Sequence, residues 1–357
     1  MKVLSCFDGM SCGQIAFERA GIKVDKYYAS EIDKYAIQVT QSNYPNTIQL
    51  GSITEWQSWN IEKPDIIIGG SPCQGFSFAG KQLNFEDERS KLFFTFVDIL
   101  KHYKPKYFLL ENVIMKAEYN DVISGILGEI YPECVHQTEL FRTGRLEPIE
   151  INSALVSAQN RRRLYWTNIL EIEQPKDKGI LLKDIIEDGG NCTGGAFRGR
   201  NPENPSDRKT GSPTKQKLEI NETGKSNALM SVSKDSIVIN FVNDNNRVIG
   251  ITENERGFRP HRGDLKKTGI SELGRILKQE SKTDTLISTH MPKFAINNNI
   301  ENLTWRKLTP IECERLQTVP DNYTNHVSNS QRYKMLGNGW TVDVIAHIFS
   351  FLKESVK

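Results

Sequence analysis

The chain has 357 residues, 38% of them hydrophobic and 25% charged, which suits a globular protein of one large or two ordinary domains. A net charge of +2 points to no partner by itself, and no apolar run has the length of a membrane span or the pattern of a signal peptide, so a soluble cytoplasmic protein with no membrane partner is expected. Six scattered cysteines (Cys6, Cys12, Cys73, Cys134, Cys192 and Cys313) form no Cys-x-x-Cys or Cys/His cluster, which argues against a zinc site or a disulfide framework and suits a reducing compartment.

In chain order, Lys2–Phe7 reads as a strand, Gln14–Ala20 as a helix, Tyr27–Ser30 as a strand and Asp33–Asn43 as a helix. Asp65–Ile68 is a short β-branched run that reads as a buried strand. Lys91–Tyr103 puts Leu92, Phe93, Phe96, Val97 and Leu100 on one helical face; Pro105 ends it, and Tyr107–Leu110 reads as another strand. This alternation with short connections predicts an α/β fold with a Rossmann-like, doubly wound, mostly parallel sheet. From Gly189 the texture changes to Gly, Asn, Pro, Ser and Lys, and Ser236–Phe241 and Arg247–Ile251 read as brief strands between long loops. Residues 173–302 are therefore expected to form an irregular domain inserted into a first domain of 1–172 and 303–357. Between Asn191 and Ile300 about 18 Lys and Arg face about 12 Asp and Glu, which leaves a nucleic-acid face and an ordinary solvated surface both open. Past Leu303, Thr309-Pro310-Ile311-Glu312 resembles a capped helix start, and Trp340–Leu352 reads as an amphipathic closing helix.

Several pieces could carry chemistry. Gly69-Gly70-Ser71-Pro72-Cys73-Gln74-Gly75-Phe76-Ser77 follows the Asp65–Ile68 strand, so Cys73 sits past a strand end, where α/β sheets place ligands. A thiolate there is a reachable nucleophile, although free cysteine is also among the most buried residue types. Phe7-Asp8-Gly9-Met10-Ser11-Cys12-Gly13 runs from strand to helix, and its glycines let a ligand approach the backbone. Glu31, at the next strand end, is placed to hydrogen-bond a ribose, which points to an adenosine-type ligand, although Gly-x-Gly-x-x-Gly is absent. Glu111-Asn112-Val113 would put an acid at another strand end, beside the cysteine. Gln159, Arg161 and Arg163 alternate along a β-like stretch, where three donors on one face suit phosphates or base edges and a solvated edge strand is the alternative. Gly337-Asn338-Gly339-Trp340 is a ligand-lining or a plain helix-start turn.

These pieces, in this order, resemble the C5-cytosine DNA methyltransferase family. Phe7-x-Gly9 resembles its first motif and Glu31 its ribose-binding acid; Pro72-Cys73-Gln74 is similar to the catalytic motif, and Glu111-Asn112-Val113 to the acidic one. Gln159-x-Arg161-x-Arg163, Arg306-Lys307-Leu308-Thr309-Pro310 with Arg315-Leu316-Gln317, and Gly337-Asn338-Gly339 resemble later motifs, so the likeness spans about 1–170 and 303–357. The finer texture is similar to the subgroup holding phage and bacterial enzymes and the mammalian de novo methyltransferases. Ser11 and Ser52 depart from it, standing where many members carry a glycine and an acid.

The resemblance implies covalent catalysis. Cys73 adds to cytosine C6, Glu111 holds the base edge and serves N3, and Arg163 contacts the ring carbonyl, with Arg161 and Gln159 supporting the loop or backbone. It implies S-adenosylmethionine as donor, S-adenosylhomocysteine as product and no metal. Cofactor contacts fall to Phe7, Asp8, Gly9, Met10, Glu31, Ile32, Ser52, Ile53, Pro72, Asn338, Trp340 and Thr341, and substrate contacts to Gln74, Ser77, Gln159 and Thr285. The partner implied is double-stranded DNA with a flipped cytosine, read by 173–302, and residues 74–89 are the natural closing element. A monomer at the nucleoid, with room for a cognate restriction endonuclease, completes the expectation. Two alternatives stand beside it, a transfer-RNA methyltransferase of the related branch and an inactive regulatory homologue. The long basic segment and the lack of a Cys-Phe-Thr signature favour DNA, and intact Cys73, Glu111 and Arg163 favour catalysis.

Overall fold

A computed structural model describes residues 1–71, 88–134, 144–188, 192–201, 203–204, 215–221, 223–229, 237–241, 250–252, 275–278, 293–295 and 302–352. Pro72, Cys73, Gln74, Ser77 and Thr285 lie outside the described residues. Five parallel strands, β1 (Lys2–Cys6), β2 (Lys26–Ser30), β3 (Ile48–Gln49), β4 (Ile66–Gly69) and β5 (Tyr107–Val113), begin the main sheet. Strand β6 (Ile149–Asn152) forms the far edge, and β8 (Arg162–Thr167), which follows the short β7 (Gln159–Asn160), runs antiparallel between β5 and β6, giving the order β3-β2-β1-β4-β5-β8-β6.

The apolar strands are buried on both faces because helices cover both. Successive residues alternate between two cores: Ile66 and Ile68 join one, Ile67 the other, and Leu109 lies opposite Phe108 and Leu110. Helix α1 (Cys12–Arg19) and the closing helix Val342–Ser350 cover the first face, where Phe17 stacks on Phe349 at 4.2 Å between ring centroids. Helices α3 (Glu88–Tyr103) and α4 (Ala117–Ile130) cover the second, and α2 (Lys34–Asn43) follows β2, capped by the Asp33 carboxylate. The doubly wound α/β fold expected from the sequence is the one observed. Strand β5 outruns its expected end at Leu110 because β8 keeps pairing with it, up to Val113 opposite Arg163, so Glu111 lies inside the strand.

A second, antiparallel sheet is built from β9 (Cys192–Arg200), β10 (Lys215–Asn221), β12 (Ile237–Phe241), β14 (Arg275–Lys278) and β16 (Asn302–Lys307), ordered β10-β9-β12-β16-β14. The strands between them in sequence are β11 (Ser226–Asn227), paired to β7, and β13 (Gly250–Thr252), paired to β15 (Lys293–Ala295). The loop-like texture around Gly194 and Gly195 hides a strand: a Cβ at Gly194 would meet the Lys225 carbonyl at 2.7 Å, so close approach requires glycine there. Strand β16 carries the second sheet to Lys307, past residue 302, and Leu182 and Ile186 pack into the first core although they lie beyond 173.

Thr309 caps the Pro310–Leu316 helix reciprocally: its hydroxyl accepts from the Glu312 N–H at 3.2 Å and its own N–H donates to Glu312 at 2.8 Å. Among the described residues, no helix is long and apolar enough to cross a membrane.

Candidate active site

A pocket of about 450 Å³ opens beyond the C-terminal ends of β1, β2, β4 and β5. At one end the chain leaves β1 through a strained turn, with Phe7 (φ 58), Gly9 (φ 59) and Ser11 (φ 62) all left-handed. Ser11 holds this left-handed conformation without being glycine, while its hydroxyl donates to Asp8 and its carbonyl starts α1. A Cβ on Gly9 would meet nothing within 4 Å, so the turn faces open space.

Glu31 is fixed by three backbone donors, Gly9 N–H on one oxygen and Ile32 and Asp33 N–H on the other, each at 2.7 Å. Asp8 is half-buried, and Tyr27 donates to it at 2.7 Å. Burial pushes its carboxyl up to about 6 against the hydroxyls of Ser11, Ser5 and Tyr27, which favour the charged form, and the charge of Glu31 adds to the rise. Ile32, 77% exposed, joins Ile53 and Ser52 on the pocket wall; the Ser52 hydroxyl caps the short helix Ile53–Ser58 by accepting from Thr54 N–H. Across the mouth, Lys334 from the Asn329–Asn338 helix pairs with Asp33 at 2.7 Å.

At the other end stands Glu111. It faces Tyr165 across the β5–β8 pair, so Arg163, two residues along, is its diagonal neighbour on the same face. Arg163 Nε meets Glu111 Oε1 at 2.9 Å, and Trp340 Nε1 donates to Oε2 at 3.1 Å. Gly70 and Ser71, immediately before Pro72-Cys73, line the same pocket, and Asn112 donates to Ser71 Oγ at 3.3 Å. The five described cysteines are all held as thiols: burial pushes Cys12 up to about 12 and Cys192 to about 11, and raises Cys6, Cys134 and Cys313 as well.

The pocket thus brings together Phe7, Asp8, Gly9, Met10, Glu31, Ile32, Ser52, Ile53, Glu111, Arg161, Arg163, Asn338 and Trp340. Two expected contacts are placed elsewhere. Gln159 is fully buried behind the pocket, where it donates to the Leu316 carbonyl at 2.7 Å and accepts from Leu229 N–H at 3.3 Å. Thr341 is also buried there, and its hydroxyl bonds Gln317 and Ser153. Arg161 reaches the wall, but its guanidinium donates to the carbonyls of Leu229, Gly337 and Gly339 at 3.0–3.2 Å, so it positions backbone rather than substrate. Burial, with Arg163 beside it, pulls Arg161 down to about 10. Reading the sequence missed Lys334, Asp33 and Leu92 on the pocket wall. Asp33 carried a helix-cap signal; Lys334 and Leu92 reach the pocket only through tertiary packing.

The C-5 cytosine-specific DNA methylase family model matches residues 1–123 and 153–354. Type II methyltransferase M1.ScrFI of Lactococcus lactis subsp. cremoris is 29% identical over 352 residues, covering 96% of this chain and 76% of that one. Type II methyltransferase M.HhaI of Haemophilus parahaemolyticus is 28% identical over 357 residues, covering 98% and 93%. Among solved structures, a DNMT2 mutant of Spodoptera frugiperda superposes with a TM-score of 0.55 at 19% identity over 99% of both chains, a likeness of fold. With the family match running through both halves of the pocket, the chain belongs to the C-5 cytosine-specific DNA methylase family.

Proposed function

We propose that the chain methylates C5 of cytosine in a short sequence of double-stranded DNA, as the modification enzyme of a restriction–modification system. One observation carries this reading: a single pocket holds the anchored Glu31 at one end and the Glu111–Arg163 pair at the other, with Gly70 and Ser71 leading into Pro72-Cys73. The cofactor end fits S-adenosylmethionine. Open space faces Gly9, the apolar side chains of Ile32 and Ile53 offer a surface for an adenine, and the carboxylates of Asp8, Glu31 and Asp33 suit a cationic ligand. Phe7, Asp8, Gly9, Met10, Glu31, Ile32, Ser52 and Ile53 would hold it, with Pro72 and Asn338. S-adenosylmethionine, when bound there, supplies an electrophilic methyl group.

The residues of the chain have the task of making C5 nucleophilic. The Cys73 thiolate would add to C6 and the ring electrons would move towards N3, leaving an enamine that is nucleophilic at C5. Glu111 serves the N3 proton during that step, and Arg163 fixes the carboxylate and meets the ring carbonyl. Loss of the C5 proton then lets the C6–S bond break and frees Cys73. The base must leave the duplex first, at a cost of a few kcal/mol. Residues 173–302, with their surplus of Lys and Arg, would supply phosphate contacts and base-edge readout through the second sheet and its loops.

The test is transfer of labelled methyl from S-adenosylmethionine to unmethylated duplex DNA and, separately, to transfer RNA, followed by base-resolution mapping. Label at cytosine C5 in one short DNA context is the expected result. Label in RNA alone, or in neither acid with cofactor still bound, overturns the reading.

A further inference from the structure

The pocket contains a contact that the reaction scheme above does not use. Glu111 is held from two sides: Arg163 Nε takes Oε1 at 2.9 Å, and Trp340 Nε1 donates to Oε2 at 3.1 Å. Trp340 comes from the far end of the sequence, 229 residues away, and lines the same pocket as the cofactor end. Its backbone is clamped from behind. Arg161 donates to the carbonyls of Gly337 and Gly339, and Gln317 donates to those of Leu336 and Gly339. The closeness of Gly70 is an independent sign that this bond is built in. A Cβ on Gly70 would stand 3.0 Å from Glu111 Oε2 and 3.0 Å from Trp340 Nε1, so the bond is seated against the backbone of the segment that leads to Cys73.

From this geometry we propose that Trp340 is a positioning residue for the reaction: its indole N–H fixes the orientation of the Glu111 carboxyl towards the cytosine edge. The inference rests on the functional reading above. A carboxyl held only by Arg163 can turn about its last torsion, which is broad for glutamate. A second donor on the other oxygen removes that freedom, so both oxygens are aimed before the base arrives. The effect belongs to the chemical step and not to cofactor affinity.

Two substitutions of the full chain separate the donor from the bulk. Trp340→Phe keeps an aromatic ring and removes the N–H. Trp340→His loses the outer ring, but its Nε2–H falls at the ring position of the indole N–H. Thermal melting checks that each variant is folded, calorimetry gives the Kd for S-adenosylmethionine, and steady-state transfer to duplex DNA gives kcat and KM. The expected order of kcat is wild type, then Trp340→His, then Trp340→Phe. The Phe variant should fall about 10- to 100-fold while the cofactor Kd and the KM for DNA stay within about threefold. A Phe variant as fast as the His variant, or a loss that appears in cofactor Kd instead of kcat, overturns the inference. If either variant fails to fold, Gly70→Ala presses on the same bond and removes neither partner; an unchanged kcat there overturns it too. The functional reading fails separately, if the wild-type chain itself transfers no methyl to cytosine in DNA.

Discussion

Asp8→Asn gives the sharpest physical test of the cofactor end. Asp8 is half-buried, its carboxyl is pushed up to about 6 from the ordinary 3.8, and desolvation by its surroundings is the main cause. A shift of about two units corresponds to roughly 3 kcal/mol between the two protonation states. Because the folded-state value is raised, the protonated form contributes stability that is fully present below about pH 4 and is lost as pH rises through about 6. Asparagine keeps the shape and removes the titration. Urea unfolding of wild type and variant at half-unit steps from pH 4 to pH 7.5, followed by tryptophan fluorescence, isolates Asp8 because every other titrating group cancels in the difference. Wild type should lose about 3 kcal/mol relative to the variant across that range. The same carboxylate faces the proposed cationic cofactor, so affinity for S-adenosylmethionine should tighten from pH 5 to pH 7 in wild type and not in the variant. A stability difference that stays flat within about 0.5 kcal/mol would refute the assignment of a raised carboxyl.

The other expectations concern separate parts of the pocket. Cys73→Ser should abolish methyl transfer while calorimetry still shows cofactor binding, and retained turnover would sink the nucleophile assignment. Glu31→Ala removes a carboxylate anchored by three backbone donors and should weaken cofactor binding about 10- to 100-fold. Equal affinity in wild type and variant would end the ribose role. Arg161→Leu strands three backbone carbonyls behind the turn that carries Trp340 and should cost roughly 3 kcal/mol in a urea melt. A variant as stable as wild type would show that these carbonyls find other donors.

The sheet was legible because its signals are local. Ile66, Ile67 and Ile68 are β-branched and close to a turn, and the Leu92-to-Leu100 spacing fixes one face of α3. Glu31 and Glu111 were legible because a strand end followed by an acid is a short pattern. The true register of Glu111 was not, since the added length of β5 depends on pairing with β8, about fifty residues later. Gln159 and Arg161 show the limit more clearly. Alternation put them on one face with Arg163, and donors on one face suggested a ligand. Their partners are the backbone around Leu316 and Gly337–Gly339, a supporting role that the family resemblance implies and alternation alone does not, since only the folded chain brings those carbonyls near. The second sheet was illegible for a related reason: glycine in β9 signals a loop unless the Lys225 carbonyl packed on Gly194 is known.

The packing of the first and last segments leaves room for an inserted sheet in the middle of this chain. The closing helix stacks on α1 through Phe349 and Phe17, Arg19 pairs with Asp343 at 2.6 Å, and Tyr323 donates to the Met10 carbonyl at 2.7 Å. The last fifty or so residues therefore complete the pocket that the first hundred begin. Among the described residues, the second sheet joins this body through Val238 of β12, which packs into the first core, and through defined polar contacts. Strand β11 pairs with β7, Lys225 donates to the carbonyls of Ala154, Ser157 and Ile180, and the buried Arg306 bridges β16 to Glu312 in the next helix. With those contacts kept, loops of the second sheet can change without moving Glu31, Glu111 or Trp340. On the proposed function, recognition and chemistry would then sit on separate parts of the chain, the first on loops of the second sheet and the second on the pocket.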